Sequence, residues 1–352
     1  MSLNKDGNYY KITVLGGGSF GTALADISAI NGHKVKQWVR SPKQAEEINR
    51  LHTNTRYLPD FKINTAVEAI TDIVEATDQA DIIFVAIPSH SFRDVIRQLK
   101  KITDDKIIVS TTKGIEASTF NMMSQIVEEE IPACKVAVLS GPNIARELIN
   151  KAITATVIAS KHQEVCTLIQ KILQCKFFRV YASNDTFGVQ LGGALKNIYA
   201  IAAGIASAIG MGENTRSMLI TRALAEMSRF AVSMGANPMT FLGLSGVGDL
   251  IVTCTSTLSR NFRLGQAIGT GVSLAEAEKT VAQTAEGINT LRLVKEKAKE
   301  KNIYMPIVSG LYAVVFEKKS VEKMIENSML AQQGDDVDFI FQDQYQLLTP
   351  PS

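Results

Sequence analysis

The sequence predicts an α/β domain followed by an all-helical domain, and three observations carry that expectation. Short apolar runs alternate with helical stretches through the first half, the pattern of parallel βαβ units covered on both faces. A glycine-rich turn stands between the first such run and the first helix. After Asp185 the texture changes to long helical segments, with no convincing strand before the tail.

In order, KITVLGG reads as a strand ending in glycines and SFGTALADISAING as the helix after it. HKVKQWVRS is a second strand and KQAEEINRLH its helix. DIIFVAIPS, KIIVSTTKG, KVAVLSG and ATVIAS continue the strands, with FNMMSQIVEEE and HQEVCTLIQKIL as helices among them. CKFFRVYAS is the last strand. These readings place an α/β domain over residues 1–188, an all-helical domain over 189–335 and a tail over 336–352. The tail is acidic, closes on Pro-Pro and is expected to be extended or poorly ordered. No internal repeat is visible.

Composition excludes several classes of function. Of 352 residues, 45 % are hydrophobic and 20 % charged, as in an ordinary globular protein. Lys and Arg number 37 against 35 Asp and Glu, so no global field favours nucleic acid or a membrane surface. The opening MSLNKDGNYYKITVLGGG lacks the apolar core of a signal peptide. The uncharged run from Ile198 to Gly212 is rich in Ala and Gly and falls short of the roughly 17–25 apolar residues of a membrane span, so a buried helix is expected. Cys134, Cys166, Cys175 and Cys254 form no CxxC pair, and the four histidines show no metal-ligand spacing. Reduced thiols, a cytoplasmic protein and no structural metal follow.

The turn itself, Gly16-Gly17-Gly18-Ser19-Phe20-Gly21, fits G-x-G-x-x-G after a strand and opening a helix, which makes the first domain Rossmann-like. Gly16 permits the tight turn, Gly18 lets backbone approach a pyrophosphate, and Gly21 allows close helix–strand packing. The N–H groups and positive dipole end of the helix suit phosphates. An NAD-specific site usually carries Asp or Glu at the end of the second strand. Here that strand ends WVRS, and Arg40 can pair with a 2′-phosphate and stack on adenine. NADP(H) should therefore be accepted at least as well as NAD(H). Lys113 follows strand IIVS, and Gly141 and Asn143 follow strand VAVL, which places both segments on the ligand-binding edge of an open α/β sheet. Position alone leaves Lys113 open between this role and an exposed loop lysine, and GPN between a binding segment and a simple tight turn.

Lys196 is the one charged residue in TFGVQLGGALKNIYAIAAGIASAIGMG. Its helix starts directly after the α/β domain and is expected to line the cleft between the domains. Desolvation lowers a lysine's pKa, which suits proton transfer near neutral pH. The alternative is a lysine that snorkels to water from the helix edge. Further on, LSGVGDLIVTCTS sets Asp249 among small residues, where it could pair with Lys196 or cap a helix. In STLSRNFRLG, Arg260 suits a bidentate phosphate clamp, with Ser259 and Asn261 adding hydrogen bonds. Ser259 is equally placed to cap a helix that carries Arg260 outward.

Taken together, GGGSFGTALA, AIPSHSFRDV, TKGIEA, SGPNIARE, GVQLGGALKNIYAIAAG, GVGDLIVTCTS and SRNFRLG resemble, in this order, the NAD(P)-dependent sn-glycerol-3-phosphate dehydrogenases, especially the bacterial biosynthetic type. The resemblance runs from about residue 10 to 330. It implies reversible reduction of dihydroxyacetone phosphate to sn-glycerol 3-phosphate, a precursor of glycerophospholipids, and a homodimer. It implies Lys196 as proton donor/acceptor and Lys113, Gly141, Asn143, Asp249, Ser259, Arg260 and Asn261 as substrate-binding positions. It also implies Ser19, Phe20, Arg40, Lys113, Ala145, Arg260 and Glu286 as cofactor-binding positions. Two departures stand out: Asn143 replaces the Ser or Thr of many bacterial members, and TAEG replaces a common VVEG before and at Glu286. Two other readings stay open, a related dehydrogenase acting on a β-hydroxy acid or ketopantoate and a non-catalytic NADP(H) sensor. The sensor reading gives Lys113, Lys196 and Asp249 no task.

Overall fold

The computed structural model describes residues 9–99, 106–281 and 286–330. Residues 336–352, read as a tail, lie outside them. The chain separates into two compact units. One runs to Ala194 and takes back Leu244–Val252; the other holds Leu195–Gly243 and the chain from Thr253 onward.

The first unit alternates as β1 (Lys11–Leu15), α1 (Ser19–Ile30), β2 (Lys34–Trp38), α2 (Pro42–Leu51), β3 (Val67–Ile70), α3 (Ile73–Thr77), β4 (Ile82–Val85) and α4 (Phe92–Gln98). It continues through β5 (Ile107–Ser110), α5 (Met123–Glu130), β6 (Lys135–Ser140), α6 (Ala145–Ile149), β7 (Thr154–Ser160), α7 (Gln163–Leu173) and β8 (Phe178–Ser183). The eight strands form one sheet in the order β3-β2-β1-β4-β5-β6-β7-β8. Successive residues of a strand face opposite sides, so Ile82 and Phe84 pack with Leu24 and Ile27 of α1 and Ile169 of α7. Ile83 and Val85 pack on the other face with Phe92 and Ile96 of α4 and Ile126 of α5.

Two features differ from the pattern expected of the sequence. β3 was not anticipated: VEAI is a four-residue edge strand with Glu68 turned to solvent, too short and too polar to show a run. The sheet is also not wholly parallel, because β7 pairs antiparallel to β6. After β6 the chain passes through the five-residue α6 and returns beside β6, with Ala137 opposite Ser160, and β8 then lies parallel to β7 through the crossover of α7.

The second unit is built of helices throughout its described residues. α8 (Thr186–Ala208) gives its first turns to the first unit and the rest to the second, and α10 (Asp249–Thr255) is shared in the same way. Between these come α9 (Glu213–Ser233) and a short 3₁₀ turn at Pro238–Leu242. After them follow α11 (Arg260–Gly269), α12 (Leu274–Val281), α13 (Glu286–Glu300), α14 (Pro306–Glu317) and α15 (Val321–Leu330). Glycines let α8 and α11 approach closely: a Cβ on Gly204 would strike the Phe262 carbonyl, and one on Gly265 the Ile201 carbonyl. α8 is buried where it carries Tyr199, Ala200 and Ile201. No helix among the described residues is long and apolar enough to cross a membrane. The four cysteines are free thiols.

Candidate active site

The glycine turn stands at the carboxyl end of β1. Gly16 has φ 128°, which a side chain rarely adopts, and a Cβ there would strike the Ala86 carbonyl after β4. A Cβ on Gly21 would strike the Gly16 carbonyl, so α1 can lie against the turn only with glycine at that position. Gly18 differs from both. Its φ of −76° suits any residue, and a Cβ would meet nothing among the described residues within 4 Å. Gly18 is also the N-cap of α1, a position that glycine suits, and the open space beside it leaves room for a bound group to approach the backbone. Gly18 precedes the first turn of α1, which has no acidic residue and, among the described residues, no side-chain cap on its N–H groups. This end of the helix fits an anionic pyrophosphate.

Around the turn, the Ser19 hydroxyl donates to the Tyr57 carbonyl at 3.0 Å. Phe20 is half-buried against the core on the α1 face of the sheet. Arg40 is exposed two residues beyond β2, on the same edge of the sheet as the turn.

Lys113 lies three residues past β5 and is held by a set of oxygens. Its ammonium donates to Asp249 Oδ2 at 2.7 Å, the Gly141 carbonyl at 3.1 Å and Asn143 Oδ1 at 3.2 Å. Of the two readings open to it, a loose surface lysine does not describe this geometry. Gly141 has φ 147° and packs on Thr156 of β7, which explains glycine there. Asn143 is buried, with its Nδ2 donating to Thr156 Oγ1 at 3.4 Å. The departure from Ser or Thr at Asn143 thus supplies a longer side chain that reaches both Lys113 and β7.

Asp249 is 1 % exposed, so its charge depends on the partners around it. A π-helical turn, Leu244–Gly248, leads into it, and Leu244 packs against Val138, Val157 and Val189. That turn places the carboxylate opening α10 on Lys113. The loop carrying Lys113 is fixed from its far side as well. Arg93 of α4 binds both oxygens of Glu116 at 2.7 Å and also pairs with Glu129 and Glu130 of α5. Those hydrogen bonds, Arg93 foremost, hold the Glu116 carboxyl below its usual range.

In the second unit, Lys196 is 6 % exposed, so it does not snorkel. Its ammonium donates to Thr253 Oγ1 at 2.6 Å. Thr253 stands four residues after Asp249 in α10 and was not singled out in the sequence, although LIVTCTS contains it. Ser259 caps α11, accepting from the Phe262 N–H at 3.3 Å. Arg260 is the exposed first residue of that helix. Asn261 is buried and its Oδ1 accepts from the Gly287 N–H at 3.2 Å, which leaves its Nδ2 as the donor end. Gly287 is glycine because a Cβ would press on Asn261 Oδ1 and the Asn197 carbonyl. Asn261, Asn197 and the start of α13, where Glu286 is half-buried, are thereby drawn together. Ala145 opens α6 and packs on the core on the α1 face.

Comparison with known proteins adds to this geometry. Residues 11–166 match the family model described as NAD-dependent glycerol-3-phosphate dehydrogenase N-terminus, and residues 185–326 match the corresponding C-terminus model. The chain is 56 % identical to glycerol-3-phosphate dehydrogenase (NAD(P)+) of Pseudomonas fluorescens, over 94 % of this chain and 96 % of that protein. It is 54 % identical to the protein of the same name from Azotobacter vinelandii, over 94 % of this chain and 97 % of that one. A crystal structure of glycerol-3-phosphate dehydrogenase from Coxiella burnetii superposes with TM-score 0.88 at 33 % identity, covering 92 % of this chain and 99 % of that one.

Proposed function

The chain belongs to the NAD-dependent glycerol-3-phosphate dehydrogenase family, and from that membership we propose how its residues divide the reduction of dihydroxyacetone phosphate to sn-glycerol 3-phosphate. The reduced nicotinamide, when bound, supplies the hydride for C2. Gly16, Gly18 and Gly21 with the N-terminus of α1 take the pyrophosphate, and Ser19, Phe20, Ala145 and Glu286 complete the cofactor contacts. Arg40 takes the 2′-phosphate of NADP(H), so both NADP(H) and NAD(H) serve.

Lys196 gives a proton to the carbonyl oxygen of the substrate as that oxygen gains charge. The observation that carries this role is a lysine 6 % exposed whose ammonium is held by a hydroxyl, Thr253 Oγ1, at 2.6 Å. That hydroxyl orients Nζ. Lys113, fixed by Asp249, Asn143 and the Gly141 carbonyl, presents its remaining surface to the substrate and to the cofactor. Arg260 and the Nδ2 of Asn261 hold the phosphate, and Ser259 shapes the start of α11 beneath them. The enzyme works as a homodimer, the state the family resemblance implies, in the cytoplasm that its reduced thiols point to.

The test follows loss of NADPH absorbance with dihydroxyacetone phosphate in the purified protein. Lys196→Met should lower kcat by about 10²–10⁴, the usual worth of general acid catalysis, with NADPH affinity retained. Unchanged turnover would remove Lys196 from the mechanism. A wild-type chain that reduces ketopantoate in preference to dihydroxyacetone phosphate would overturn the substrate assignment.

A further inference from the structure

Behind the glycine turn lie three amide side chains that neither the motif nor the proposed mechanism uses. Gln37 Nε2 of β2 donates to the Gly16 carbonyl at 3.0 Å. Gln44 Nε2 of α2 donates to the Gly17 carbonyl at 2.7 Å, and Asn54 Nδ2 donates to the same carbonyl at 2.9 Å. The three are also tied to one another: Gln44 donates to Asn54 Oδ1, and both Gln37 and Asn54 donate to Thr22 Oγ1 of α1. Gln37 and Asn54 are fully buried.

Geometry gives this network a consequence. A trans peptide points its C=O and N–H to opposite sides. Carbonyls of Gly16 and Gly17 drawn toward the buried amides therefore direct the N–H groups of Gly17 and Gly18 away from them. Gly18 is also the residue whose Cβ would meet open space, whereas a Cβ on Gly17 would press on Gln44 Nε2 at 2.6 Å. One glycine admits the amide and the next leaves room on the opposite side. The arrangement is held at a cost, since Gln37 Oε1 is buried without a hydrogen-bond partner among the described residues. An apolar residue at that strand position would avoid the unsatisfied acceptor, so the amide is explained by what its Nε2 does.

We propose that Gln37, Gln44 and Asn54 are positioning residues that aim the backbone N–H groups of the glycine turn at a dinucleotide's pyrophosphate. The proposal rests on the dinucleotide reading above. It separates the turn into glycines, which permit the conformation, and amides, which select its direction. Neighbouring contacts that keep the same segment in place, such as Ser19 to the Tyr57 carbonyl, orient no carbonyl of the turn.

The experiment measures dissociation constants for three ligands by calorimetry: NADPH, 2′-phospho-ADP-ribose and adenosine 2′-monophosphate. The first two carry a pyrophosphate and the third does not. Gln44→Met keeps the length of a half-buried side chain and removes its donor, and Asn54→Ala removes the second donor to the same carbonyl. Each variant should weaken NADPH and 2′-phospho-ADP-ribose by about tenfold, as expected when hydrogen bonds to a charged group are misdirected. Adenosine 2′-monophosphate should stay within about twofold, and KM should rise for NADPH but not for dihydroxyacetone phosphate. Equal losses for all three ligands would show a merely structural role and overturn the proposal. So would wild-type NADPH affinity in Gln44→Met, even if Asn54→Ala fails to fold. A wild-type chain that binds none of the ligands would overturn the dinucleotide reading first and this proposal with it.

Discussion

Glu226 of α9 offers a sharp test of the energetics of the helical unit. It is 2 % exposed, and burial pushes its carboxyl from the usual 4.5 up to about 7. Three donors work the other way: the N–H of Ile307 at 2.5 Å, the N–H of Val308 at 3.3 Å and the Tyr199 hydroxyl at 3.3 Å. The carboxylate thus satisfies the first N–H groups of α14 and joins that helix to α8 and α9. Between pH 4.5 and 7 the native chain keeps a proton that the unfolded chain has released. Stability from this group is therefore greatest below the lower value, falls as pH rises through the window, and is level above it. From about pH 5 to 8 the fall amounts to about 2–3 kcal/mol at roughly 1.4 kcal/mol per pH unit. Glu226→Gln keeps an acceptor and removes the titration. Urea unfolding of both proteins at about pH 5 and pH 8 should give a slope smaller by about 2–3 kcal/mol in the variant. Far-UV circular dichroism is the proper signal, because the single tryptophan, Trp38, lies in β2 of the other unit. Identical pH slopes in the two proteins would refute the reasoning.

Three further outcomes follow from the site and its supports. Arg40→Asp should raise KM for NADPH more than for NADH, because a carboxylate repels the 2′-phosphate; equal changes would show that Arg40 does not read it. Arg260→Ala should lose at least about tenfold in kcat/KM with dihydroxyacetone phosphate, since a charged hydrogen bond is worth about 1.5–3 kcal/mol. The loss should be much smaller with dihydroxyacetone, and equal losses with intact NADPH binding would refute the phosphate clamp. Arg93→Met leaves Glu116 and Glu129 without that guanidinium and Glu130 with Arg97 in its place, and should cost about 1–3 kcal/mol at neutral pH. Because Arg93 depresses the Glu116 carboxyl, that cost should shrink as pH falls below the usual carboxylate range; a cost that grows in acid would contradict it.

The strands with continuous apolar runs and the glycine turn were legible because their causes are local. IIFV and IIVS are buried on both faces, so nearly every residue is apolar. β3 escaped because an edge strand buries less and carries Glu68 outward. The reversal of β7 escaped because the composition of a strand does not record its direction.

In the site, the same divide separates glycines from the groups that work on them. A glycine advertises a backbone requirement in its own identity, as Gly16 does with its φ of 128°. A buried amide does not. Gln37 in KVKQW and Asn54 in HTNTRY are indistinguishable by type from solvated side chains, and only the fold shows both fully buried. The Lys113–Asp249 pair spans 136 positions, and Lys196 meets Thr253 across 57, so neither contact has a periodic signature. What the sequence does carry is the anomaly of charge among small apolar residues at Lys196 and Asp249. A buried charge must find a partner, so that anomaly predicts that partners exist. Lys113 for Asp249 and Thr253 for Lys196 become visible only once helix α10 has placed an acid and a hydroxyl four residues apart.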